Sequence, residues 1–133
     1  MVPVVRYMIP CDDVSVDETK SHCVHVECVM GNILSHEDPP FPLVREQICI
    51  YLVLTEGHGM GVGQIRVAFV DDEPERLLFG SPEYTIDFRG HTPLELLSVV
   101  FRIRDCVFPR AGRYSVQFWY NDRKVEERPL RLR

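Results

Sequence analysis

Hydrophobic and polar residues alternate along much of this chain with a period of two. In residues 63–70, Ile65, Val67 and Phe69 interleave with Gln64, Arg66 and Ala68, the pattern of a strand with one buried and one wet face. The pattern returns in residues 83–88, with Tyr84, Ile86 and Phe88 on one side. It returns again in residues 96–108, where Val99, Phe101 and Ile103 point inward and Arg102 and Arg104 outward. It is sharpest near the end, where Tyr114, Val116, Phe118 and Tyr120 share a face. There Asn121-Asp122 predicts a tight hairpin turn and residues 125–132 a return strand. Pro129 cannot donate to a ladder, so that return strand is expected at a sheet edge. Residues 47–55, QICIYLVLT, are apolar on both faces and predict a central strand covered on both sides.

Two further runs, residues 4–9 and 22–34, precede these, the second interrupted at Gly31-Asn32. Turn-forming residues separate the runs every 10 to 15 positions, a spacing that predicts an antiparallel sandwich of about eight strands. One short helical turn is expected at residues 92–97, where Thr92 caps, Pro93 takes the first helical position and Glu95 closes a capping box. With 133 residues and no linker or repeat, the expectation is one all-β domain over residues 1–133.

Composition narrows the functional classes. Hydrophobic residues make up 45% and charged residues 26%, as in ordinary globular proteins. A net charge of −5 predicts no nucleic-acid partner, and the lack of a long apolar run predicts no membrane partner. The opening MVPVVRYMIPC has neither the basic nor the apolar region of a secretion signal. Together with five cysteines, an odd number, this predicts reduced thiols and a cytoplasmic location.

PCDDV, TEGHG, VDDE and the closing VFPRAGRYSVQFWYNDRKVEERPLRL occur in an order that resembles a family of small uncharacterised bacterial proteins with an immunoglobulin-like sandwich. The resemblance implies that fold; it implies no activity and no site residues.

Four patterns bear on chemistry. In SHCVHVEC, a strand would set Cys23, His25 and Glu27 on one face, three donors of the kind that ligate a divalent metal. The opposite stripe, Val24, Val26 and Cys28, reads as buried. GHGMGVG has the glycines of a phosphate cradle, but a strand follows it rather than a helix, so a hairpin connection is expected. Asp12-Asp13, Asp17-Glu18 and Asp71-Asp72-Glu73 could offer oxygen ligands to calcium, yet they lack its loop spacing and suit turns. Cys49 and Cys106 lie in apolar runs and read as small core residues.

No residue stands in a nucleophile motif, and no cofactor is implied. The expectation is therefore a non-catalytic binding module for a protein partner or a second copy of the chain. Trp119, pointing away from the inward face of its strand, and Arg102 and Arg104 are the candidate contacts. Two alternatives remain open. One is a metal-binding protein or metal-dependent enzyme using Cys23, His25 and Glu27. The other is a sandwich that binds a small polar molecule, with Trp119 and Tyr120 as stacking platforms.

Overall fold

The structure is a computed structural model that describes residues 2–17, 23–36 and 38–133. The described residues form ten strands in two packed sheets and no helix, so none is long and apolar enough to cross a membrane. The first sheet has the order β2-β1-β4-β8, from Cys23–Val29, Val4–Asp17, Leu43–Thr55 and Leu97–Phe108. The second has the order β3-β10-β9-β5-β6, from Asn32–Ile33, Arg123–Leu132, Gly112–Tyr120, Met60–Phe69 and Arg76–Gly80. β7, Tyr84–Asp87, pairs with the start of β5.

The period-two alternation decides which side chains meet between the sheets. Ile48, Ile50, Leu52 and Leu54 of β4 face Ile65 and Val67 of β5 and Val116 and Phe118 of β9 in one buried cluster. Aromatic rings cross the layers. Phe101 of β8 lies 6.2 Å from Phe118, and Phe108 stands edge-on to Tyr114 at 5.1 Å, both within the range where rings attract. The Tyr114 hydroxyl donates to the carbonyl of Arg110 and pins the turn that enters β9.

The closing hairpin follows its pattern. β9 is internal, and Tyr114, Val116, Phe118 and Tyr120 are all buried. Asn121 and Asp122 take φ of 49° and 62°, which suits a two-residue turn matched to strand twist. β10 is open along most of its outer side, but β3 pairs in parallel with Arg131 and Leu132 at its end, so the expected edge is partly covered.

Three expectations are corrected. Thr92 to Leu97 forms a turn and no helix. Glu95 N–H bonds the Thr92 carbonyl at 3.0 Å, the Glu95 carboxylate turns to His91, and β8 starts at Leu97 before a second helical bond can form. The GHGMGVG segment is no hairpin, because β4 lies in the first sheet and β5 in the second. Its alternate glycines are needed for space: an added Cβ at Gly57, Gly61 or Gly63 would overlap Phe88, Tyr120 or Ile86. Finally, the run broken at Gly31 splits between sheets, β2 staying in the first and β3 joining the second; His22 lies outside the described residues.

Candidate functional site

Inward aromatic residues on β9 force Arg113, Ser115, Gln117 and Trp119 onto the outer face of the second sheet. Register sets Trp119 between Gln64 of β5 and Lys124 of β10, and Gln117 between Arg66 and Glu127. Polar side chains on an outer face are ordinarily wet, but Gln117 is only 2% exposed and Ser115 6%. They are buried because each is hydrogen-bonded, as desolvated polar groups require. The Gln117 amide N–H donates to Glu75 Oε1 at 2.7 Å, and its carbonyl accepts the Trp119 indole N–H at 3.0 Å. The Ser115 hydroxyl donates to Glu127 Oε2 at 2.8 Å, which is the main cause holding the Glu127 carboxyl below its usual range.

Trp119 is half-buried and fixed from two directions. Besides the Gln117 bond, the Arg66 guanidinium lies 4.1 Å from the centre of its ring. Arg66 is itself oriented by Nε–H donating to Gln64 Oε1 at 2.9 Å and by Asp122 at 3.7 Å, while the Gln64 amide donates to the Ser81 carbonyl at 2.9 Å. The indole edge and these groups line a recess of about 270 Å³, with Val62, Glu83 and Asn121 completing its wall. A second recess of about 590 Å³ opens on the same face, lined among others by Arg113, Ser115, Glu75, Glu127 and Arg131.

The other expected contacts lie elsewhere. Arg102 and Arg104 project from the outer face of β8, in the opposite sheet, so they share no surface with Trp119. Tyr120 is buried beside Phe118 and Phe88, since the period of two that turns Trp119 out turns Tyr120 in. The paired Trp119–Tyr120 stacking platform is therefore not assembled.

β2 sets Val24 and Val26 against a small apolar cluster, with Cys23, His25 and Glu27 alternating with them in sequence. Among the described residues no group of three or more His, Cys, Asp or Glu side chains gathers as a metal would need. Cys28 leaves the expected buried stripe: its φ of 54° breaks the alternation and exposes it. Four carboxylates of the acidic clusters are engaged by arginines, Asp12 by Arg45, Asp13 by Arg102, Asp71 by Arg113 and Asp72 by Arg110. Glu18 lies outside the described residues.

Sequence reasoning singled out Trp119 but not Gln117, Glu75, Glu127 or Arg66. Their shared signal was the polar half of the alternation, Gln64-x-Arg66 and Ser115-x-Gln117-x-Trp119, opposite the apolar half that identified the strands.

Residues 6–133 match a family of unknown function, DUF6941, and the chain belongs to it. Among curated proteins none matches. One solved structure, Pseudomonas fluorescens alkylpurine DNA glycosylase AlkC bound to DNA containing an abasic site analog, is similar over 77% of this chain at 11% identity, with a TM-score of 0.47. The chain spans 28% of that protein's length. At that score the likeness carries no argument for a shared activity. The expectation that partners exclude nucleic acid is withdrawn, since the similar structure is a DNA complex, and no partner of this chain follows from it. The physical reason is that net charge is a sum over the whole surface, whereas a polyanion reads local potential.

Proposed function

We propose that this member of a family of unknown function is a non-catalytic binding module whose recognition face is the outer surface of the second sheet around Trp119. The observation that carries this is the fixed position of a half-buried indole, held by Gln117 at 3.0 Å and Arg66 at 4.1 Å beside an open recess. A surface tryptophan held in one orientation loses little entropy when a ligand covers it, and tryptophan and arginine are both enriched at binding hot spots. The groups around it, amides, an ion pair and a ring, donate, accept and stack. We read the occupant as an extended polypeptide segment, laying an apolar side chain on the indole edge and backbone groups against Gln64 and Asn121.

Trp119 is the chain's one tryptophan, so its fluorescence reports this face alone. Peptides selected from a random library on the immobilised protein should shift that emission on titration, and Arg66→Ala should weaken them about tenfold or more, as loss of a hot-spot contact does. Selected peptides that leave the emission unchanged would overturn the assignment of the face. A single-stranded oligonucleotide titrated in parallel is the competing arm: saturable quenching there, with peptides silent, would replace the peptide reading.

A further inference from the structure

β1 and β4 run antiparallel in the middle of the first sheet, and their register sets Cys11 directly opposite Cys49. Opposed residues of an antiparallel pair project to the same side with Cα atoms about 4.5–5.5 Å apart. That lies inside the roughly 4.4–6.8 Å that a disulfide spans. Both thiols are free and fully buried in a small cluster with Val14, away from the main core, and Cys11 Sγ lies 3.5 Å from the Cys49 carbonyl oxygen.

The surroundings of Cys49 are more than apolar packing. The Gln47 amide donates to Cys49 Sγ at 3.4 Å and to the Asp12 carbonyl at 3.4 Å. Cys49 Sγ faces Asp13 Oδ1 at 4.0 Å. Arg102, paired opposite Cys49 on β8, donates to the Val14 carbonyl at 2.8 Å and stands 3.8 Å from Asp13. A sulfur thus has a proton acceptor, an N–H donor and a cation around it. Burial pushes Cys11 up to about 11, with Cys49 adding to it; burial also raises Cys49, but there Arg102 opposes it. Cys106, by contrast, sits in the main core with no second thiol in its cluster.

We propose that Cys11 and Cys49 form a site of reversible oxidation by hydroperoxides, with Cys49 reacting first and Cys11 resolving. Cys49 passes its proton to Asp13 and its sulfur attacks the near oxygen of the peroxide. The O–O bond breaks, and the departing alkoxide or hydroxide takes that proton and leaves as alcohol or water. Cys49 is then a sulfenic acid. Cys11 sulfur attacks the Cys49 sulfur, the S–O bond breaks, and hydroxide leaves as water with the Cys11 proton. Two thiols and one hydroperoxide give one disulfide, one alcohol and one water, two electrons passing to the peroxide. A small dithiol reverses the step by exchange. The way in for the oxidant is past the Arg102 and Asp13 side chains, which are 40% and 50% exposed.

The test uses the full chain with Cys23→Ser and Cys28→Ser, which removes the two thiols that are not fully buried. After treatment of the folded protein with a small excess of hydrogen peroxide, intact mass should fall by two hydrogen atoms per chain. Peptide mapping should join the segments holding Cys11 and Cys49, and dithiothreitol should restore both. The same treatment in denaturant should form this link more slowly. Recovery of both cysteines as thiols, their separate conversion to sulfinic acids, or equal rates folded and denatured would overturn the proposal.

Discussion

The outer faces of the two sheets solve one problem in opposite ways. On β9 of the second sheet, the outward Ser115, Gln117 and Trp119 are satisfied by one another and by Glu75 and Glu127. On the first sheet, the outward Cys11, Val14 and Cys49 are buried with Val24, Val26, Tyr51 and Val100 as a second small apolar core. The polar cluster is ordered by directional bonds, the apolar one chiefly by contact area. A directional network loses most when one member is left unpaired, whereas an apolar cluster loses in proportion to the atoms removed.

That difference can be broken or sharpened by substitution. The largest effect should come from the core both faces share: Phe118→Ala is expected to destabilise by about 3–5 kcal/mol in urea unfolding, the range for a buried Phe. On the apolar face, Val14→Ala removes two buried methyl groups and should cost about 2 kcal/mol, with no effect on Trp119 emission. On the polar face, Gln117→Ala leaves the Trp119 indole N–H and Glu75 without their partner and should cost about 1–2 kcal/mol. It should also shift Trp119 emission. Trp119→Ala should cost about 1 kcal/mol yet abolish the binding proposed for this face. Gln117→Ala combined with Trp119→Ala should cost less than the sum of the two, whereas Gln117→Ala with Val14→Ala should add, because they lie on opposite sides of the molecule. Additivity in both pairs would mean that the polar chain is not a network.

The smallest effect is pH-dependent. The backbone N–H and then the side chain of Arg113 hold the Asp71 carboxyl below its usual range. A folded value below the unfolded one gives stability that is present at neutral pH and lost as pH falls through the folded value. Asp71→Asn should therefore lower the urea midpoint slightly at neutral pH, and its gap from the parent should close in acid.

Strands with strict alternation were legible from residues alone: β5, β8 and the β9–β10 hairpin have the inward and outward sets that Ile65, Phe101 and Phe118 announce. Trp119 was legible as outward for the same reason. What was hidden depends on partners distant in sequence. Cys11 and Cys49 read as unrelated, since only β1–β4 pairing brings them together. The buried Gln117 looked like any surface glutamine, because the carboxylate that satisfies it, Glu75, lies far away in sequence on another segment. β6 was missed: Arg76–Gly80 has five residues, Arg-Leu-Leu-Phe-Gly, that do not alternate. Cys23, His25 and Glu27 made a local pattern that resembled a ligand set, but chelation needs convergence in space, which one strand cannot supply.

The glycines at 57, 61 and 63 carry a consequence for how this sequence can change. None of the three has a left-handed backbone, so what they supply is empty volume beneath Phe88, Tyr120 and Ile86. Every codon change that leaves glycine adds at least one carbon, so a saturation scan should find positions 57 and 61, which lie under rings, closed even to alanine. Position 63 should be more permissive, because only the end of Ile86 must move. The route around them runs through the ring above: a smaller residue at 120 must arrive before a larger one at 61. Tyr120→Leu should thus convert Gly61→Ala from a damaging substitution into a tolerated one, making the order of mutations, rather than their sum, the quantity that history can act on.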